Sequence, residues 1–130
     1  MSKENAKKAT FEDLITKKLQ KEKEQFKVKD IYISSMDAYL TFKKPKDDTI
    51  LDVIDEMGDM EDIRKVIDGY KKLIYLCCDM LQDPKLHDEL DVKDPFDTVD
   101  VLFDLADIME IGEQLMDLIN IGAKAEAIKN

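Results

Sequence analysis

The sequence predicts a predominantly helical α+β fold, namely a small helical domain with one β-hairpin near its N-terminus. Three observations support this prediction. Apolar residues recur every three or four positions over residues 63–81, apolar and polar residues alternate over residues 28–43, and glycine or proline residues separate the remaining helical segments. We expect residues 10–121 to form a single domain, with a disordered tail at residues 1–9 and a frayed tail at residues 122–130.

The first predicted helix begins at Thr10, because Thr10 and Asp13 match a short form of the capping box. Lysine and glutamate residues alternate along this helix, a pattern typical of an exposed helix that carries ion pairs between residues four apart. Its apolar stripe is thin and consists of Leu14, Ile15, Leu19 and Phe26. We expect so thin a stripe to hold the body of the protein or a partner only weakly.

Two short strands are predicted at about residues 28–33 and 38–43, where β-branched and aromatic residues are concentrated. Residues 34–37 form the turn, and the lack of an Asn-Gly or Asp-Gly pair favours a longer loop over a tight one. Pro45 ends the second strand. A lone hairpin is marginally stable in water, so this one must rest on the helices or pair with another chain.

Three helical segments follow the hairpin. We expect Asp47 or Asp48 to cap the first and Gly58 to end it. The second, residues 63–81, has one continuous apolar side and should form the spine of the core. The third is a short helix of one or two turns after Pro84.

The last helical region begins at Asp94-Pro95 and is unusually apolar, since 14 of the 24 residues from 98 to 121 are apolar. These residues do not share one side of a helix. Either the helix breaks near residues 107–112 and its halves face differently, or it is covered on two sides, which requires a partner.

The net charge of −10 is unevenly distributed: residues 1–46 sum to +5 and residues 47–130 to −15. An acidic body repels phosphates, which argues against a nucleic-acid partner. The sequence has no run of 18 apolar residues and a polar N-terminus. We therefore expect no membrane partner and no secretory signal, and we place the chain in the cytoplasm.

Reactive residues are few and lack the spacing of known sites. We expect Cys77 and Cys78 to be free, mostly buried thiols, and His87 to be a surface residue. No phosphate-binding loop, zinc motif, calcium loop or nucleophile motif is present. The sequence therefore predicts a protein that is not an enzyme and binds no metal or cofactor.

Four stretches together resemble a known family. They are the opening helix FEDLITKKLQKEK, the hairpin that ends in TFKKP, and the segments LIYLCCDMLQD and DPFDTVDVLFDLADIMEIGEQLMDLI. They are similar to the tail assembly chaperones of long-tailed phages and prophages of Gram-positive bacteria, in the group with contractile, defective-phage-like tails. The resemblance covers most of residues 10–121.

The resemblance implies a non-enzymatic function. Such proteins keep the tape measure protein soluble during assembly of the tail tube, help it meet tail tube subunits and are absent from the finished virion. Self-association and a longer frameshifted form are further expectations from the family. The alternative is a small acidic adaptor or regulator that binds another helical protein, and a small hydrolase that uses acidic residues is a third class.

The excess of apolar helical surface in residues 98–121 predicts where a partner binds. Amphipathic helices dock on such surfaces, and methionine adapts to varied apolar partners. The candidate partner-binding residues are Leu105, Ile108, Met109, Leu115, Met116 and Ile119.

Overall fold

A computed structural model describes residues 5–24 and 27–119 and confirms the predicted fold class. The described residues form six α-helices and one antiparallel β-hairpin, with two short 3₁₀ segments at Asp79–Gln82 and Pro95–Asp97. Phe26 and the predicted frayed tail at 122–130 lie outside the described residues. The elements are α1 Phe11–Glu24, β1 Val28–Ile33, β2 Ala38–Lys43, α2 Asp47–Met57, α3 Ile63–Cys77, α4 Pro84–Leu90, α5 Thr98–Leu102 and α6 Leu105–Ile119.

Helix α1 begins with the predicted capping box. The backbone N–H of Thr10 donates to Asp13 Oδ2 at 2.8 Å, and the N–H of Asp13 donates to Thr10 Oγ1 at 3.2 Å. Lys18 and Glu22 form an ion pair of the expected four-residue spacing at 3.5 Å. None of the described α1 side chains is buried, so local interactions contribute most of the stability of this helix.

The hairpin has the predicted strands and turn, and it rests on the helices. Ile31 pairs with Leu40 in the antiparallel register, and residues 34–37 form the turn. Contacts of β1 with α6 and of β2 with α3 bury one face of the hairpin. That face consists of Ile31, Ile33, Leu40 and Phe42.

Helix α2 follows Lys46 and ends at Gly58. The prediction that Asp47 or Asp48 caps α2 is wrong. The N-cap residue is Lys46, and its side chain makes no capping hydrogen bond to the backbone of the helix. Both aspartates lie in the first turn, where negative charge complements the helix dipole. Gly58 ends α2 as predicted, with a φ of 65° that glycine adopts readily.

Helix α3 is the central element of the core, although it is shorter than the sequence predicted. It contacts α2, α5 and α6, and Leu73, Ile74 and Cys77 on it are completely buried. The helix ends at Cys77 because Cys78 is extended, and Leu81 belongs to the following 3₁₀ segment. Leu81 is nevertheless buried, so the predicted apolar spacing is correct although the helix is interrupted.

The last helical region breaks between α5 and α6, at Phe103 and Asp104, and not near residues 107–112 as predicted. Asp104 and Asp107 bond each other's backbone N–H groups, which starts a new helix. Phe103 is extended and buried. The break lets α5 and α6 face different neighbours, so the apolar residues of this region are largely covered by the chain itself.

Two glycines let helices approach closely. A methyl group at Gly112 would overlap the ring and Cβ of Tyr70 on α3, whereas one at Gly69 would meet the side chain of Met57 on α2. The overlap at Gly112 involves Cβ and the rigid ring of Tyr70, whereas the overlap at Gly69 involves Cγ and Cε of Met57, a side chain with more rotatable bonds that is itself buried.

We expect Gly112→Ala to lower the free energy of unfolding by about 2 kcal/mol, because overpacking against Tyr70 exceeds the gain in helix propensity. Gly69→Ala is the matched variant and should lower it by a smaller amount, because the Met57 side chain that it overlaps can change rotamer more easily than the Tyr70 ring. Urea denaturation of both variants tests this. Equal losses in the two variants would contradict the packing described for Gly112.

We expect Thr10→Ala to reduce the helicity of α1 without changing the thermal midpoint of the body. Loss of an N-cap costs about 1 kcal/mol of helix stability, and α1 buries no side chain. Backbone chemical shifts of residues 11–15 report the local effect, and calorimetry reports the midpoint. Thr16→Ala is the control within the same helix; it should raise the helicity of α1 slightly, because alanine has the higher helix propensity, and leave the midpoint unchanged.

Candidate interaction surfaces

The structure divides the six candidate partner-binding residues into two groups. Ile108, Leu115 and Ile119 are buried, with 3%, 0% and 5% of their surface exposed. Ile108 and Leu115 belong to the hydrophobic core that α6 forms with α3 and β1. In this structure the three residues are therefore covered, and the accessible part of the predicted surface consists of the other three candidates.

The other three candidates remain accessible and share one edge of α6. Leu105 is 58% exposed, and Met109 and Met116 are half-buried. At about 100° per residue, the three lie within about 40° of one another around the helix axis. We call Leu105, Met109 and Met116 the α6 stripe.

Acidic residues border the α6 stripe on its solvent side. Glu110, Glu113 and Asp117 are exposed on α6. Residues 94–119 contain eight acidic residues and no lysine or arginine. A helix that docks on the stripe therefore meets apolar side chains along its centre and uncompensated negative charge along one edge.

A second apolar surface lies on α1. Phe11, Leu14, Ile15 and Leu19 are 79%, 63%, 46% and 53% exposed, and we call them the α1 face. Together they expose an area on the order of a few hundred Å², comparable to the largest apolar patch on a typical monomeric protein, and such a patch is often functional. The sequence predicted a thin stripe here, and the structure adds that the body leaves it uncovered.

An open groove of about 680 Å³ lies beside the end of α1. Its described lining combines basic residues with the carboxylates of Glu24 and Asp47, and none of these described residues is a histidine, cysteine or serine. The lysines are Lys21, Lys43, Lys44 and Lys46. Mixed charge and an open mouth distinguish this groove from the enclosed, mostly apolar pockets that bind small ligands.

The two cysteines are free thiols and are buried, as predicted. Burial raises the pKa of Cys77 to about 12, and it also raises the pKa of Cys78. A thiol is nucleophilic as its thiolate, so this environment suppresses the reactivity of both.

His87 is half-buried rather than on the surface as expected. Its Nε2 lies 2.7 Å from the backbone carbonyl oxygen of Leu81, and its ring stacks on Tyr75. These contacts connect α4 to the C-terminal end of α3 and to the 3₁₀ segment that follows it. In the part of the chain that the structure describes, no group of three or more potential ligands could hold a metal ion.

We expect iodoacetamide to alkylate Cys77 and Cys78 far more slowly in the folded protein than in guanidinium chloride. At pH 8 the pKa of about 12 reduces the thiolate fraction of Cys77 roughly a thousandfold relative to an ordinary thiol, the raised pKa of Cys78 acts in the same direction, and burial blocks access to both. Because the pKa is raised in the fold, the free energy of unfolding should fall as the pH rises above about 9. Mass spectrometry over time measures the alkylation, and equal rates in both states would contradict the burial.

Comparison of this chain with protein-family models, curated proteins and solved structures gave no match. Among the described residues, no helix combines the length and apolar character needed to cross a bilayer. The features of this chain that bear on its function are therefore the sequence motifs, the α1 face and the α6 stripe.

Proposed function

We propose that this chain is a non-enzymatic tail assembly chaperone of the phage and prophage type. In this proposal it binds the tape measure protein in the bacterial cytoplasm and keeps that protein soluble while the tail tube assembles. The sequence support is the set of four stretches described above, from the opening helix to the segment that ends at Ile119.

The observation that carries the proposal is apolar helical surface that the chain's own core leaves uncovered. The α1 face is exposed at all four of its positions, and the α6 stripe is exposed at Leu105 and half-buried at its two methionines. The family resemblance implies that the tape measure protein is long and prone to form coiled coils. Coiled-coil helices present a continuous apolar seam that must be covered to stay soluble. Surfaces such as the α1 face and the α6 stripe can cover that seam temporarily.

The charge of the chain also supports a role as a solubilising partner. Because the chain has a net charge of −10, complexes that it forms with an apolar partner protein (the client) repel one another. This repulsion opposes their aggregation. The acidic border of the α6 stripe favours a client helix with lysine or arginine residues next to its apolar seam. This function requires no cofactor and no catalytic group.

A small acidic adaptor that binds another helical protein could use the same surfaces. The two functions differ in the client, and a gene position between those of the tail tube and tape measure proteins would favour the chaperone. The direct test is co-expression with a tape measure protein from the genome that encodes this chain.

We expect Leu105→Glu to reduce the soluble fraction of co-expressed tape measure protein several-fold, because it places a charge in the α6 stripe. Ala106→Glu is the matched control, since Ala106 is also exposed but lies about 100° around the helix. Neither side chain is buried, so both variants should fold normally by circular dichroism. Quantification of the tape measure protein in the soluble and pelleted fractions measures the effect.

A second variant, Met109→Glu, tests the middle of the α6 stripe. If both stripe variants fold and still keep the tape measure protein soluble, the stripe is the wrong surface. If the wild-type chain leaves the tape measure protein insoluble, the proposed function itself is wrong.

A further inference from the structure

We infer that the open groove beside the end of α1 binds an acidic peptide segment of another protein. In this groove, about 680 Å³ in volume, the fold brings two lysine-rich stretches of the chain together. The groove shares no lining residue with the α6 stripe, so this binding site goes beyond the proposed function and does not depend on it.

Three segments that are distant in sequence line the groove. They are the C-terminal end of α1, the connection between β2 and α2, and the C-terminal end of α3 with the 3₁₀ segment that follows it. The backbone N–H of Lys44 in the connection donates to the carbonyl oxygen of Lys27, which precedes β1, at 3.0 Å. This hydrogen bond holds the lysine-rich residues 43–46 beside the lysine-rich end of α1.

Three of the four lysines in the groove have no ionic partner among the described residues. Lys43 is the exception, since its Nζ lies 2.7 Å from Asp79 Oδ1. The other three are Lys21, Lys44 and Lys46. The two carboxylates of the lining do not form an ion pair with any of these three. Like charges that share one groove repel each other, and an anion that enters the groove is attracted by all of them at once.

The uncharged part of the lining favours a peptide over other anions. Pro45 and Leu76 are half-buried and supply apolar surface, which suits an apolar side chain between acidic ones. Gln82 Nε2 donates to the backbone carbonyl oxygens of Tyr75 and Leu76 at 3.0 and 3.2 Å. The Oε1 atom of Gln82 is thereby left to accept a hydrogen bond. A peptide N–H can donate that bond, whereas the phosphate groups of a nucleic acid backbone have no donor.

The charge of the whole chain also favours a short ligand. A net charge of −10 repels a long polyanion over most of its length. Salt screens exposed charges beyond about 10 Å, so a short acidic segment interacts mainly with the lysines of the groove. Because the groove is open, such a segment can enter it while the rest of the partner protein stays outside.

Fluorescence anisotropy with a synthetic peptide tests this site on the full-length protein. The labelled peptide is short and carries glutamate on both sides of a central leucine. A second peptide has glutamine in place of each glutamate. We expect saturable binding of the acidic peptide at concentrations below about 1 mM and no binding of the neutral one. Added salt should weaken the binding, because the ionic contacts lie at the protein surface.

Charge-removing variants locate the binding. Lys21→Gln/Lys46→Gln removes two of the unpaired lysines and should raise the dissociation constant about fivefold or more. The matched control is Lys85→Gln/Lys93→Gln, which changes the net charge equally outside the groove and should bind like the wild type. Glu24→Gln removes a negative charge from the lining and should lower the dissociation constant. All five side chains are exposed, so circular dichroism should show the same fold in every variant.

The inference is wrong if the acidic peptide does not bind, or if the neutral peptide binds equally well. It is also wrong if the two double variants weaken binding equally, since the effect would then arise from net charge. Tighter binding of single-stranded oligothymidylate or of inorganic phosphate than of the peptide would assign the groove to phosphate ligands instead. Leu105→Glu, which alters the α6 stripe, should bind the peptide like the wild type. Failure of the proposed function and failure of this site are therefore separate results.

Discussion

The close approach of α3 and α6 at Gly112 constrains how α6 is oriented on the core, and the accessible surface of α6 depends on that orientation. Because Gly112 has no side chain, the ring of Tyr70 packs directly against the α6 backbone. This contact sets the rotation of α6 about its own axis. The rotation turns Ile108 and Leu115 into the core and leaves the α6 stripe at the edge. The accessible surface of α6 is therefore a consequence of a packing contact on its other side.

A second constraint fixes where α6 begins. Asp107 is buried, and its Oδ2 accepts hydrogen bonds from the hydroxyl of Ser35 in the hairpin turn and from the backbone N–H of Asp104. A buried carboxylate needs such partners, since its desolvation is otherwise costly. The hydrogen bond from Ser35 joins two residues that are 72 positions apart and ties the hairpin to the break before α6. The packing at Gly112 and the hydrogen bonds of Asp107 together hold α6 in position.

The sequence predicts local features of this fold well because they depend on neighbouring residues. The strand limits, the turn at residues 34–37, the capping box at Thr10 and the end of α2 at Gly58 all follow from local chemistry. The break at Phe103 was predicted several residues too late. Its signal was nevertheless available, because Asp104 and Asp107 have the same three-residue spacing as Thr10 and Asp13.

The candidate surface was harder to predict than the fold. A sequence pattern shows that residues 98–121 contain more apolar side chains than one helix side can bury, but it does not show which neighbour covers which side. Leu115 and Met116 are adjacent and similar in hydrophobicity, yet Leu115 is completely buried and Met116 is half-buried. The difference arises from the position of α3, which is set by Tyr70 and Gly112 and is not contained in the local pattern.

Helix α1 shows why exposed apolar surface in this chain has functional meaning. Isolated helices shorter than about 12–15 residues are marginal in water, and α1 has 14 residues without a buried side chain. Its capping box, the acidic residues in its first turn and the pair of Lys18 with Glu22 compensate in part. These local interactions stabilise the helical form, whereas the α1 face lowers solubility and contributes nothing to the core. A helix that is stabilised locally would lose less conformational entropy on binding than an unfolded segment, which is the physical reason for including the α1 face in the proposed function.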